Sequence, residues 1–437
     1  MQKKILITGA SGSIGKALVN FLSHRDDLEL YCLVRDPLKF PFKGKSIHVL
    51  KGDLLDAKSL PDLPENLDAA YFFVHAMSEA GDFDLKEQEI AHNFVRWVQK
   101  SGVSQVVYLS GLGKDEDALS KHLISRRHVE RIFIEADLPV TIFRAAIILG
   151  AGSASFEIIR DLVEHLPVMI TPKWVNKRSQ PIAFSDVLIY LSEVINHPET
   201  IRKTFEIGGP EVLSYRDMLK RFAKFRGLDR LIIPVPFLTP KLSSYWIYFV
   251  TKTTFKLAQN LVLSLKNDTY VEDKSIQEIL PLHLKTFEEA CKEAFALLEY
   301  GHAPTFGTLS FETTAPIKIE KELLWHHLLY LGMGKERFHY MNWVWRLRLT
   351  IDWLLGGKKD FFDVWDVLVE DKERGHIILY ATLRMPGEAW LEFWVEEGNL
   401  RQKAIFRPSG VLGRLYWWIT YPIHLYLFPG MCKKLAN

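Results

Sequence analysis

The sequence predicts a doubly wound, parallel α/β sheet with a helical lobe, followed by a separate α+β unit. Three observations predict it. Over the first 150 residues, β-branched runs alternate with segments of helical periodicity. A glycine-rich turn follows the first of those runs directly. Nine of the twelve tryptophans lie after residue 320. Strands alternating with helices imply βαβ units and a sheet covered on both faces. One core spanning 437 residues would not segregate tryptophan in this way, so two parts are expected, 1–300 and 308–437.

Taken in order, strands are expected at 4–8, 28–34, 46–51, 69–74, 105–110 and 140–144, with helices at 13–23, 83–101 and 118–136. From 151 to 300 the pattern is mainly helical and forms the lobe, with a short strand at 204–207. The segment 300–307, rich in Gly and Pro, reads as a linker. After it come a strand at 308–313, a helix at 321–331 and strands at 361–370, 375–385, 389–396 and 400–407. A long aromatic helix begins near Gly410.

Composition excludes several classes. With 55 Lys and Arg against 53 Asp and Glu, no overall field favours nucleic acid. Cys32, Cys291 and Cys432 are far apart and lack ligand spacing, so neither a disulfide framework nor a metal site is expected, and a reducing, cytoplasmic setting is. The apolar run at the N-terminus is too short for a signal peptide.

The strongest motif is Thr8-Gly9-Ala10-Ser11-Gly12-Ser13-Ile14-Gly15, at the first strand-to-helix junction. Gly9 permits the tight turn, Gly12 lets backbone approach a pyrophosphate, and Gly15 allows close helix–strand packing. The helix start then offers N–H groups and the positive end of its dipole. A Rossmann-type dinucleotide site is therefore expected. About 20 residues further on, an NAD site places a carboxylate for the ribose 2′-OH. Here Arg35 stands there, followed by Asp36. A guanidinium suits a 2′-phosphate, so NADP(H) is expected over NAD(H). Asp53 and Leu54 end the third strand beside the expected adenine, and Val74 and His75 end the fourth.

The order of these motifs resembles the extended or atypical short-chain dehydrogenases/reductases. The resemblance covers residues 1–290 and includes Gly9–Gly15, Asp53, Val107–Gly111, Phe143–Gly150, Gln180–Val187 and Phe205–Glu211. Within that family the chain looks like a bacterial subgroup with an uncharacterised C-terminal extension. Its better-known relatives would be NmrA-like redox sensors and accessory subunits of respiratory complex I. The resemblance adds Arg144 to the cofactor-binding set and matches Ser110 to the family's substrate-polarising serine. Where the family has Tyr and, four residues on, Lys, this chain has His122 and Arg126. They share one helix face. His122 is the candidate proton donor, while Arg126 is expected to hold the nicotinamide ribose or a phosphate; a cation beside His122 lowers its protonated fraction, so a polar helix face beside a bound dinucleotide is the favoured reading. Arginine does not tune a neighbour by losing its proton. Two functions follow as expectations: an oxidoreductase acting on a hydrophobic carbonyl or isoprenoid-like substrate, or a non-catalytic scaffold or redox sensor that docks a lipid or protein partner; an NAD-dependent sugar-nucleotide enzyme, like other extended family members, is disfavoured by Arg35 and the lost Tyr.

The C-terminal unit resembles the helix-grip fold of START-like proteins in element order and aromatic content. No carboxylate occurs after Glu397, while Arg401, Lys403, Arg407, Arg414, Lys433 and Lys434 do. A basic, Trp-rich helix can lie against the inner face of a membrane. A core helix gripped by its sheet is the favoured reading.

Overall fold

The computed structural model describes residues 2–37, 40–75, 83–113, 119–151, 153–235, 267–299, 308–331, 340–354, 364–372, 375–396, 398–408 and 410–437. These fall into two compact units, one built from residues up to 235 and 267–294, the other from 295 onward. The expected linker at 300–307 lies outside the described residues.

The first unit is built on seven parallel strands. They are β1 (Lys3–Thr8), β2 (Leu28–Val34), β3 (Ile47–Lys51), β4 (Ala69–Phe72), β5 (Val106–Gly111), β6 (Val140–Ala145) and β7 (Lys203–Ile207), in the order β7-β6-β5-β4-β1-β2-β3. The order reverses between β1 and β4, and such a switch point opens a ligand crevice at the carboxyl ends of the strands. Strand residues are buried on both faces, hence the continuous apolar runs Ile5-Leu6-Ile7 and Ala69-Ala70-Tyr71-Phe72.

On one face α1 (Ser13–Leu22) and α5 (Phe184–Glu193) cover Ile5, Ile7, Leu30, Tyr71 and Phe143. There the Tyr71 hydroxyl donates to the Leu191 carbonyl at 2.5 Å, fastening α5 to the sheet. On the other, α2 (Phe83–Gln99) and α3 (Lys121–Glu135) cover Leu6, Phe72, Tyr108 and Ile142. Phe72, Phe94, Tyr108 and Phe133 pack there edge-on, with centroids 4.9–5.7 Å apart.

The lobe holds α4 (Ala154–His165), α6 (Tyr215–Phe225) and α7 (Phe287–Glu299) as far as Ala294, together with short strand pairs absent from the sequence reading, such as Val168–Pro172 with Leu231–Val235.

The second unit is an α+β domain. A five-stranded antiparallel sheet runs in the order β8-β12-β11-β10-β9, with β8 (Leu309–Pro316), β9 (Trp365–Asp371), β10 (His376–Ala381), β11 (Gly387–Glu396) and β12 (Asn399–Pro408). Its helices are α8 (Lys321–Leu329), α9 (Asn342–Leu354) and α10 (Gly410–Leu435). The periodicity missed α9, whose Trp, Arg and Leu residues alternate without a clean polar face. One side of α10 packs on the sheet, where Trp417 stacks on Phe406 at 5.7 Å and Cys432 lies 3.5 Å from the Leu400 carbonyl.

Because Phe133 is fully buried among three other rings, Phe133→Ala is expected to cost the first unit about 3–5 kcal/mol. A urea titration followed by tyrosine and tryptophan fluorescence checks it.

Candidate functional site

The site begins with a close approach of two backbones. Gly9 has φ +67°, and a Cβ there would lie 2.7 Å from the Phe73 carbonyl carbon and oxygen. The turn after β1 is thus pressed against the end of β4, which only glycine permits. A Cβ on Gly15 would lie 2.2 Å from the Gly9 oxygen, so α1 starts directly under the turn. Gly12 is the N-cap of α1 and no side chain caps it. Ser11, Gly12 and Ser13 are exposed, while Ala10 is buried and Ile14 packs on the core. This cradle fits a pyrophosphate: bare helical N–H groups and a positive dipole end face open space.

Asp53 and Leu54 follow β3. One Asp53 carboxylate oxygen accepts from the Leu55 amide at 3.0 Å, forming a local turn. Leu54 is buried in the core, and its carbonyl accepts from Asn93 at 2.7 Å. Its side chain therefore belongs to packing. Arg35 and Asp36 are both exposed, on a bend immediately after β2.

Past Phe73 the chain reaches Val74 and His75, where the second half of the site lies. Arg126, on α3, donates from Nη1 to the Leu109 carbonyl at 2.9 Å and to His75 Nε2 at 3.0 Å. Its Nε donates to His122 Nε2 at 3.4 Å. One guanidinium thus joins the end of β4, strand β5 and the first turn of α3. A guanidinium only donates, so both imidazoles accept through Nε2 and carry their proton on Nδ1. Burial, with the Arg126 charge second, lowers the His122 pKa to about 3. Burial and then Arg126 push His75 well below its usual value as well. Both rings are neutral near pH 7.

The two Nδ1 atoms differ. That of His75 lies 3.7 Å from the buried Glu87 carboxylate. That of His122 is buried and meets no hydrogen-bond partner. A buried N–H without an acceptor is costly, so His122 offers a donor to whatever enters. The Tyr108 hydroxyl is buried beside the Arg126 guanidinium, and burial raises its pKa to about 12.

Ser110 and Arg144 are used elsewhere. Ser110 is buried and donates to Glu130 Oε1 at 2.5 Å. Glu130 also accepts from Arg127 at 2.6 Å and from Arg144 at 2.5 Å. The structure brings His75, His122 and Arg126 together and sets Ser110 with Arg144 in this separate buried network. Sequence reasoning missed Glu130. The available signal was its position on the face of α3, three residues after Arg127.

A cavity of about 320 Å³ lies beyond the end of β7, lined among others by Gln180, Glu206, Gly208, Gly209, Lys274 and His283. Its lining is mixed in polarity rather than apolar. The segments Gln180–Val187 and Phe205–Glu211, singled out in the sequence, supply part of it.

A family model described as NAD(P)H-binding matches residues 9–162. The N-terminal unit is an NAD(P)-binding Rossmann domain, related to extended short-chain dehydrogenase/reductase and epimerase enzymes. The Rossmann domain is similar to a UDP-glucose 4-epimerase of Vibrio cholerae, at 24% identity over 275 residues, covering 55% of this chain and 81% of that one. A 4-hydroxy-tetrahydrodipicolinate reductase of Bartonella bacilliformis is 29% identical over 119 residues, 26% of this chain and 40% of that one. The Bordetella bronchiseptica enzyme WbmH, solved in complex with NAD+, matches with a TM-score of 0.51 at 14% identity, covering 69% of this chain and 100% of that one. A Citrobacter triphenylmethane reductase solved with NADP(H) matches with a TM-score of 0.54 at 14% identity, covering 66% and 99%. The C-terminal domain is distinct: residues 329–431 match a family described as a protein of unknown function, DUF2867.

The expectation of NADP(H) is corrected. It rested on Arg35, yet the fold is found holding NAD+ in WbmH. At the end of β2 the exposed guanidinium has an equally exposed carboxylate, Asp36, beside it. That carboxylate can accept from a ribose diol and repels a 2′-phosphate, so Arg35 alone does not select the phosphorylated cofactor.

With its pKa lowered to about 3, the His122 ring carries no excess proton near neutrality, in line with the expected effect of a neighbouring cation. The two depressed imidazoles have a pH signature. An unfolded histidine titrates at about 6.5, so the native advantage of the neutral ring is complete above that pH. Below it stability falls, by up to about 1.4 kcal/mol per pH unit for each ring, until the native pKa is passed. His122→Asn should remove one ring's share of this acid destabilisation between pH 6.5 and about 3 and leave that of His75, read from urea midpoints across the range.

Proposed function

We propose that the chain is an NAD(H)-dependent oxidoreductase of the extended short-chain dehydrogenase/reductase kind, acting on a carbonyl or secondary alcohol of a hydrophobic, isoprenoid-like substrate. The observation that carries the reading is the contact between the glycine cradle and the end of β4, two residues before His75. It sets the pyrophosphate seat beside the strand ends that hold the Arg126 cluster. Gly9, Gly12 and Gly15 would receive the pyrophosphate, Asp36 the adenosine ribose, and Asp53 the adenine.

Bound NAD(H) supplies hydride chemistry. The chain's own part is orientation and polarisation. Arg126 holds His122 in the Nδ1–H form, and that N–H is the donor toward a substrate oxygen. A neutral imidazole polarises an oxygen without transferring a full proton, so the proton of an alcohol product is exchanged with water. Tyr108 and its aromatic neighbours keep the base of the cluster dry.

One observation favours a second reading. Ser110, the residue matching the family's substrate-polarising serine, is committed to Glu130, and the Tyr/Lys pair is replaced. A non-catalytic, NmrA-like sensor or scaffold that reads the dinucleotide without turnover would need neither.

Gly12 is exposed and tolerates a side chain sterically better than Gly15, so Gly12→Asp should fold. Its carboxylate at the dipole end should weaken NADH binding about tenfold or more, measured by calorimetry. Tighter binding of NADPH than of NADH to the unaltered chain would sink the cofactor assignment. With prenyl aldehydes as substrates, His122→Phe should lower kcat while leaving the Kd for NADH in place. Binding of NADH without any turnover across such substrates supports the sensor reading instead.

A further inference from the structure

The outward side of α10 is apolar where a surface helix is usually polar. Leu412, Leu415, Trp418, Ile419, Ile423 and Tyr426 are 43–72% exposed. Spacings of three and four residues put Leu412, Leu415, Ile419, Ile423 and Tyr426 on one stripe. The opposite side is the one that packs the sheet, through Trp417, Phe428, Met431 and Cys432. The helix thus meets its own core with one face and presents a second apolar face outward, from Leu412 to Tyr426, over about 21 Å.

Charge says what covers that face. The stripe runs on, seven residues past Tyr426, to Lys433, and Lys433 and Lys434 are both exposed. No Asp or Glu side chain occurs after Glu397, so the helix carries only positive side-chain charge. Trp418 and Tyr426 are aromatic side chains with polar edges, the kind that settle at headgroup depth. No helix among the described residues is long and apolar enough to cross a membrane, and α10 contains Pro422 and Pro429. Its chemistry is that of a helix lying in an interface.

We infer that the outward face of α10 docks on an anionic phospholipid bilayer, with the apolar stripe entering between headgroups and Lys433 and Lys434 against lipid phosphates. The inference is independent of the dinucleotide reading.

Flotation of the whole chain with two kinds of vesicle tests it: phosphatidylcholine alone, and equal parts phosphatidylcholine and phosphatidylglycerol. The chain should float with the anionic vesicles only, and less as salt is raised. Lys433→Gln with Lys434→Gln should weaken binding about twenty-five-fold, at about fivefold per charge. Ile419→Glu should abolish it with near-UV circular dichroism and Tm unchanged, because the side chain faces outward. If Ile419→Glu disturbs the fold, the lysine pair at the helix end carries the test alone. Equal flotation with both vesicles, or with neither, overturns the proposal. So does a dimer in solution that Ile419→Glu dissociates without any lipid binding, which would assign the face to a second copy of the chain.

Discussion

Arg126 is the interaction on which the candidate site depends. Its guanidinium reaches a backbone carbonyl of β5, the imidazole ending β4 and the imidazole one turn before it on α3. Because it cannot lose its proton near neutrality and has no acceptor atom, it settles the state of everything around it. Both histidines must accept through Nε2, both are held neutral, and the remaining protons sit at Nδ1. A lysine there would act differently. Its compact ammonium lowers the pKa of a neighbouring phenol, whereas a guanidinium beside a histidine lowers the chance that the ring is charged at all. With His and Arg in place of Tyr and Lys, the proposed reaction would rely on fixed hydrogen-bond polarisation instead of a proton relay.

The same helix carries a second fixed charge network, and the two have opposite demands. Glu130 is buried and receives Ser110, Arg127 and Arg144. Arg127 also donates to the carbonyls of Gly111 and Gly113, so the end of β5 is clamped to α3 by backbone as well as side chain. A buried carboxylate left without its guanidinium partners is far more costly than the intact cluster is stabilising. Ser110 is thus held by structure, and a substrate oxygen would have to displace a short, charge-assisted hydrogen bond to reach it. His122 has no such competing partner. In the proposed reaction the polarising role therefore falls to the histidine rather than the serine.

The Rossmann half was legible because its signals are local and redundant. Strand positions followed from buried β-branched runs, and the cradle from three glycines whose spacing has one structural use. Most elements fell within a residue or two of expectation. Side-chain state was not legible in the same way. The sequence places His122 and Arg126 on one helix face, but the depressed pKa comes first from burial, which that spacing does not report, and only then from the Arg126 charge. Glu130 captures Ser110 from 20 residues away and from another element. Cofactor choice failed at a finer scale. Arg35 and Asp36 are adjacent on a bend, where direction is not set by strand alternation, so a one-residue difference decides which charge meets the ribose. In the second unit α9 was missed because its Arg and Leu positions do not separate into two faces.

Helix α10 shows why the favoured sequence reading of the C-terminus was incomplete. A helix apolar around its circumference carries little directional signal, and burial in a core is the usual explanation. A single antiparallel sheet can cover only one side of such a helix, however. The residues that contact β8 and β12 occupy about half of the circumference, and nothing among the described residues of the domain requires the other half to be apolar. Scattered exposed leucines need no explanation. A continuous stripe ending in two exposed lysines does, since water penalises it and a core would exclude the lysines. The proposed bilayer contact would satisfy both groups, because there an apolar phase adjoins an anionic one.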